Sequence, residues 1–140
     1  MTMERPSTLT VWWTATRPHT LTASISPCIV AYATCRPPWK LQLAWTLFCV
    51  TVQIGTNLHN DYSDFVQGAD THKRVGQARA TAKGWLTPDE TCRAATLILS
   101  LTFLCGLNIA LATDHMLDPL YWFLVLSLGR ASMWPRMNVR

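Results

Sequence analysis

The sequence predicts an all-α integral membrane bundle, with about three complete transmembrane helices and a partial fourth. Of its 140 residues, 49% are hydrophobic and only 14% are charged, whereas soluble globular proteins carry about 25% charged residues. The charges are also clustered, and uncharged stretches run from 18 to 35, from 41 to 60 and from 94 to 113. A helix of about 20 apolar residues crosses the hydrocarbon layer of a membrane. This composition argues against a disordered chain and against an ordinary soluble enzyme.

The uncharged stretches set the predicted elements in chain order. In the first, Pro27 and several Ser and Thr residues indicate a kinked helix that packs against other helices. The last apolar stretch loses its pattern after Gly129, so its helix is predicted to be incomplete. Helices are therefore predicted near residues 19–35, 41–64 and 90–112, and a fourth begins near residue 119.

The basic residues predict the orientation in the membrane. The net charge of +4 is too small and too dispersed to indicate nucleic acid as a partner. Cytoplasmic loops carry an excess of Lys and Arg, which places the N-terminus and the loop after the second helix on the cytoplasmic side of the plasma or inner membrane. Before the C-terminal tail, seven basic residues then lie inside (Arg5, Arg17, Lys73, Arg74, Arg79, Lys83 and Arg93) and two outside (Arg36 and Lys40).

The second predicted helix carries a polar stripe within an otherwise apolar run. Helical spacing places five polar residues on or beside one face: Gln53, Asn57, Asn60, Asp61 and Asp64. Carboxylates at membrane depth are costly and normally mark a pathway or a site. A solvated helix end followed by a charged loop is the alternative. The amides that reach back into the apolar run favour a site, because a solvated end does not need buried amides.

The acids and the loop after them have the composition of a diphosphate-binding site. Asp61 and Asp64 lie one helical turn apart, and Mg²⁺ prefers oxygen ligands that it shares with phosphate. Gly68 is predicted to end the helix, so that the chain turns and Asp70 returns as a third carboxylate. Cations follow at once in the sequence, and they suit phosphate oxygens: Lys73, Arg74, Arg79 and Lys83.

These residues resemble a known family. The segment 60–65 followed by Gly68-Ala69-Asp70 is similar to the first aspartate-rich motif of the UbiA-type membrane prenyltransferases. It is most similar to the MenA branch, which prenylates 1,4-dihydroxy-2-naphthoate. The resemblance covers residues 10–129 and includes Arg17-Pro18-His19-Thr20-Leu21, Ser24 and Pro27 upstream, and Asp70-Thr71, Arg74-Val75-Gly76, Arg79, Thr81, Gly84 and Thr87-Pro88 downstream.

The resemblance implies transfer of a polyprenyl group from an allylic diphosphate to 1,4-dihydroxy-2-naphthoate, in menaquinone or phylloquinone biosynthesis. Such an enzyme is a transferase with Mg²⁺ as its cofactor. Arg17 would pair with the carboxylate of the naphthoate or with the diphosphate, and the resemblance does not choose between them. The implied metal ligands are Asp61, Asp64 and Asp70; Asn57 and Asn60 would orient ligands or waters; Lys73, Arg74 and Arg79 would bind the diphosphate.

The sequence departs from the family in its C-terminal part. The second aspartate-rich motif of the family is absent, so residues 1–129 are interpreted as the N-terminal half of a truncated UbiA-type domain. Residues 130–140 break the apolar pattern and are interpreted as a tail from a truncation or frameshift. The chain is therefore expected to be inactive alone. Two alternatives remain: a small oligomeric membrane transporter, and a non-catalytic membrane partner protein.

Overall fold

A computed structural model describes residues 6–68 and 79–113 of the chain. This part is helical and contains no strand, which confirms the all-α fold class. Its elements are α1 (Thr8–Thr16), a 3₁₀ turn (Pro18–Thr20), α2 (Leu21–Cys35), α3 (Trp39–Val66) and α4 (Pro88–Ala112).

Helices α2, α3 and α4 correspond to the three predicted near residues 19–35, 41–64 and 90–112. Helix α1 was not predicted. Gly68 has a φ of +66° just beyond α3, a conformation that glycine adopts at no steric cost, so the predicted turn after this helix is present. The predicted fourth helix and the tail at 130–140 lie outside the described residues.

The bundle buries polar groups and turns large apolar side chains outward. Ile29, Leu47 and Leu101, on α2, α3 and α4, are each more than half exposed. Asp61 and Arg79, in contrast, are 1% and 5% exposed. Within the described part of the chain, Pro88–Leu111 is the one segment that is long and apolar enough to cross a membrane. Together these features agree with an all-α membrane bundle, in which lipid or further helices cover the apolar faces.

Close helix packing brings the ends of several elements together. Gly55 allows α3 to approach α4 closely, since a Cβ atom there would lie 2.6 Å from Leu99 Cδ2. Helix α1 packs beside the C-terminal half of α3 through Val11, Ala15 and Leu58. The same core includes Ala80, Leu86 and Ala95. The turn after α1, the C-terminal end of α3 and the segment before α4 therefore meet at one place.

A capping box fixes the start of α4. The Thr87 hydroxyl accepts a hydrogen bond from the Glu90 N–H at 3.2 Å, and the Thr87 N–H donates to Glu90 Oε2 at 2.8 Å. Pro88 occupies the first helical position, where its missing N–H is not needed. Because these groups stop the helix from starting earlier or later, they set where the preceding segment ends.

We expect Thr87→Ala to destabilise the fold by about 1 kcal/mol, because the capping hydroxyl is lost. The measurement is unfolding of the chain in detergent micelles, followed by circular dichroism. Thr96→Ala is the matched control: Thr96 is exposed within α4, and its hydroxyl donates to the Cys92 carbonyl of the same helix. An equal loss in both variants would contradict a specific capping role.

Candidate functional site

The polar residues of α3 form the centre of the site. Asn57, Asp61 and Asp64 are all buried, with exposures of 4%, 1% and 4%. They belong to one helix and lie four and three residues apart, so they share the face that looks into the bundle. The segment before α4 contacts Asp61 and Asp64, and the turn after α1 contacts Asn57.

Asp64 is paired with Arg79, which lies just before α4 in the chain. The Arg79 guanidinium forms an ion pair with Asp64 Oδ2, and the two side chains are 3% and 6% exposed. Arg79 also donates a hydrogen bond from Nη1 to the carbonyl oxygen of Asn60 at 3.2 Å. A buried charge needs such partners, since removal from water is costly for each ion. The Arg79 guanidinium therefore holds the segment before α4 against the end of α3.

Asp61 has one carboxylate oxygen that is hydrogen-bonded and one that is not. Its Oδ2 accepts from the Thr81 N–H at 3.3 Å and from the Thr81 hydroxyl at 3.2 Å. Its Oδ1 is buried and has no hydrogen-bond partner among the residues that the structure describes. The positive charges of Arg17 and Arg79 both act on this carboxylate. The result is a buried carboxylate oxygen that is available to a ligand, with two arginine charges acting on its group.

Asn57 fastens the turn after α1 to α3. Its Nδ2 donates to the Thr16 carbonyl at 2.9 Å and to the Thr20 hydroxyl at 2.8 Å. Its Oδ1 accepts from Gln53 at 3.3 Å. Between Thr16 and Thr20, Arg17 has a φ of +53°, which costs a non-glycine residue about 1–2 kcal/mol. Strained backbone of this kind persists where its surroundings hold it, and the Asn57 amide is part of what holds it.

The structure brings together six of the nine candidate residues named from the sequence. The other three, Asp70, Lys73 and Arg74, lie outside the described residues. Within residues 6–68 and 79–113, no group of three His, Cys, Asp or Glu side chains could hold a metal ion. The six residues that meet around the end of α3 are Arg17, Asn57, Asn60, Asp61, Asp64 and Arg79.

Chemically, the site offers one donor of the kind that a hard divalent cation takes. The available donor is a carboxylate oxygen, and Mg²⁺ binds through one or two carboxylates while sharing phosphate oxygens and water. The free oxygen of Asp61 is the observation that supports this fit. Asp64 would reach a cation only with a rearrangement of its ion pair with Arg79.

Sequence reasoning gave no role to two buried threonines. Thr81 lies in the basic loop that matches the family, and Thr91 lies on α4; their exposures are 1% and 0%. The Thr81 hydroxyl contacts Asp61, and the Thr91 hydroxyl contacts Thr81. A single threonine has no periodic signal of its own, so the contact between Thr81 and Thr91 becomes visible only in the tertiary structure. The inclusion of Thr81 in the matched loop was the one available hint.

Comparison with curated proteins gives similar relatives that share one name, 1,4-dihydroxy-2-naphthoate octaprenyltransferase. The Bacillus subtilis protein is 33% identical over 111 residues, which is 76% of this chain and 36% of the relative. The Escherichia coli protein is 32% identical over 139 residues, 90% of this chain and 42% of the relative. The Mycobacterium tuberculosis protein is 36% identical over 105 residues, which is 71% of this chain and 35% of the relative.

No family model matches the sequence, and no solved structure matches it. The chain spans between 35% and 42% of the length of the three relatives. The matches cover most of the chain and confirm the resemblance to the MenA branch that its motifs predict. The chain is therefore a homologue of the 1,4-dihydroxy-2-naphthoate octaprenyltransferases over part of their length.

Proposed function

We propose that this chain supplies the diphosphate-binding part of a prenyltransferase. The reaction is transfer of a polyprenyl group from an allylic diphosphate to 1,4-dihydroxy-2-naphthoate, in menaquinone or phylloquinone biosynthesis. The observation that carries the proposal is the buried Oδ1 of Asp61, which has no hydrogen-bond partner among the described residues. The charges of Arg17 and Arg79 act on this carboxylate. Supporting it are the relatives, each named 1,4-dihydroxy-2-naphthoate octaprenyltransferase.

In this proposal Asp61 and Asp64 hold Mg²⁺, with Asp70 as a third ligand. The metal supplies positive charge that stabilises the departing diphosphate. Arg79 is already paired with Asp64, so a diphosphate arriving at the site competes for the same guanidinium. Arg17, held by its turn, adds a second positive charge to the site, while Lys73 and Arg74 follow in the basic loop.

The proposal also assigns surroundings and orientation. The outward apolar side chains of α2, α3 and α4 suit membrane lipid and the polyprenyl chain. The N-terminus and the loop after α3 would lie on the cytoplasmic side, where the excess of basic residues places them. A diphosphate and a naphthoate anion formed in the cytoplasm would then reach the site without crossing the membrane.

Binding of metal and pyrophosphate tests the proposal directly. We expect the full chain in detergent micelles to bind Mn²⁺, followed by electron paramagnetic resonance, more tightly when inorganic pyrophosphate is present. Asp61→Asn is expected to weaken Mn²⁺ binding by more than about 100-fold, beyond the loss typical of an outer partner of the metal. Asp89→Asn, at an exposed carboxylate in the first turn of α4, is the control and is expected to bind as the wild type does.

Equal binding by the wild type and the Asp61→Asn variant would refute the metal site. Transfer itself is measured in a chimera that appends the unmatched part of the Bacillus subtilis relative. There Asp64→Ala is expected to abolish prenylation of 1,4-dihydroxy-2-naphthoate. Retained prenylation would refute Asp64 as part of the metal site, and proton-coupled flux in liposomes without pyrophosphate binding would favour a small transporter.

A further inference from the structure

We propose that Thr81, supported by Thr91, is a positioning residue that orients the Asp61 carboxylate so that Oδ1 faces the metal. This inference rests on the proposed function, because it assumes that Asp61 binds the cation. Both threonines are almost completely buried, at 1% and 0% exposure. They come from different segments, the loop before α4 and α4 itself, so they link the acid of α3 to a second helix.

The contacts form a chain of three groups. Thr81 donates its N–H and its hydroxyl to Asp61 Oδ2, at 3.3 and 3.2 Å. The hydroxyl oxygens of Thr81 and Thr91 lie 3.0 Å apart. The Thr91 hydroxyl also lies 3.0 Å from the Thr87 carbonyl oxygen. Thr91 therefore has two acceptors for one proton, and Thr81 connects it to the carboxylate.

Counting protons shows in which direction these hydrogen bonds are donated. Each threonine hydroxyl carries one proton and accepts through its oxygen. A carboxylate is the strongest acceptor present, so the Thr81 proton points to Asp61. If the Thr91 proton then pointed to the Thr87 carbonyl, two hydroxyl oxygens would face each other with no proton between them. The anionic form of Asp61 thus favours the order Thr91 to Thr81 to Asp61, in which each bond polarises the next.

This arrangement fixes one carboxylate oxygen and leaves the other for a ligand. Two donors on Oδ2 hold the plane of the Asp61 carboxylate, while buried Oδ1 has no hydrogen-bond partner within residues 6–68 and 79–113. Buried polar atoms in proteins are otherwise almost always hydrogen-bonded. A purely structural anchor would use both oxygens. Metal ligands are commonly oriented in this way by a hydrogen bond to the atom that does not touch the metal.

The test measures Mn²⁺ binding by the full chain in detergent micelles with electron paramagnetic resonance. Thr81→Val keeps the shape and the backbone N–H but removes the hydroxyl, and we expect binding to weaken by about 10- to 100-fold. Thr81→Ser keeps a hydroxyl and is expected to bind within about threefold of the wild type, well below that 10- to 100-fold loss. Thr91→Val removes the outer donor and should weaken binding by a smaller factor.

Thr102→Val is the matched control, because Thr102 is also buried on α4, and its one hydrogen bond to a described residue is to the Ile98 carbonyl of its own helix. Equal binding by the Thr81→Val and Thr102→Val variants would overturn the positioning role, while loss of binding in Asp61→Asn would leave the proposed function standing. If Asp61→Asn binds as the wild type does, both ideas fail. Should Thr81→Val lose its helical circular dichroism, Thr91→Val decides: binding equal to that of Thr102→Val overturns the inference.

Discussion

Replacing Arg79 with methionine is expected to destabilise the fold by about 3–5 kcal/mol, the cost of breaking a buried ion pair by removing one partner. The Asp64 carboxyl group would lose the Arg79 guanidinium at a position where its side chain is only 6% exposed. The Asn60 carbonyl would also lose the hydrogen bond from Nη1. Methionine fills most of the volume of the arginine stem, so the loss comes mainly from charge and hydrogen bonding rather than from a cavity.

Unfolding of the chain in mixed micelles with increasing denaturing detergent measures this change. Lys83→Met is the matched control, since it removes the same charge from the same loop at an exposed position. Surface ion pairs and surface charges contribute about 0–1 kcal/mol, so this variant should unfold close to the wild type. If both variants unfold alike, loss of net charge rather than loss of the buried pair explains the effect.

A double variant measures the energetic coupling between Asp64 and Arg79. Asp64→Leu combined with Arg79→Met replaces both charges with apolar side chains, which is often close to neutral for stability. We therefore expect the double variant to be more stable than Arg79→Met alone. Additive losses from the two single changes would show that Asp64 and Arg79 are not energetically coupled, and would contradict the ion pair as the contact that holds the loop.

The positions of the long helices follow from the distribution of charge. A helix formed by an uncharged stretch can lie inside the bundle or against lipid along its whole length. The charged clusters on either side therefore set where the helix ends. The helix predicted near 41–64 is observed as Trp39–Val66, and the one near 90–112 as Pro88–Ala112. Helix α1 could not be found in this way. It is nine residues long, and a helix this short depends on tertiary packing, here of Val11 and Ala15 against the core.

The site was predictable along one helix but not between helices. Periodicity alone places Asn57, Asp61 and Asp64 on one face, because residues three and four apart are neighbours. Asp64 pairs with Arg79, Asp61 with Thr81 and Asn57 with Thr16, which lie 15, 20 and 41 positions away in the chain. Local sequence carries no information about such pairs. The sequence left open whether Arg17 pairs with the carboxylate of the naphthoate or with the diphosphate. The structure adds that its charge acts on Asp61.

Asn57 is the residue whose observed contacts differ most from its implied role. The family resemblance implies that its amide orients ligands or waters. In the structure its Nδ2 donates to Thr16 and Thr20, and its Oδ1 accepts from Gln53. An amide with these bonds serves the turn that carries Arg17. Its effect on the site therefore passes through the position of the arginine.

We expect Asn57→Leu to destabilise the fold by about 2–3 kcal/mol, because part-buried acceptors on Thr16 and Thr20 lose their donor. Leucine has the same branched heavy-atom skeleton as asparagine, so no cavity forms. The turn holding Arg17 in its left-handed conformation should also open more readily. Hydrogen exchange of the Arg17 and Thr20 amides reports that opening, since these N–H groups bond to the Thr14 and Arg17 carbonyls.

Asn108→Leu provides the comparison for this prediction. Asn108 is exposed on α4, and its amide donates to the Leu104 carbonyl within the same helix. The same substitution there is expected to leave both stability and exchange near the wild-type values. Faster exchange in α1 and the 3₁₀ turn only for Asn57→Leu would establish the amide as the fastening between the turn and α3. Unchanged exchange at Arg17 and Thr20 would mean that core packing of α1 alone holds the turn, and Asn57 would then be left with the ligand-orienting role that the resemblance implies.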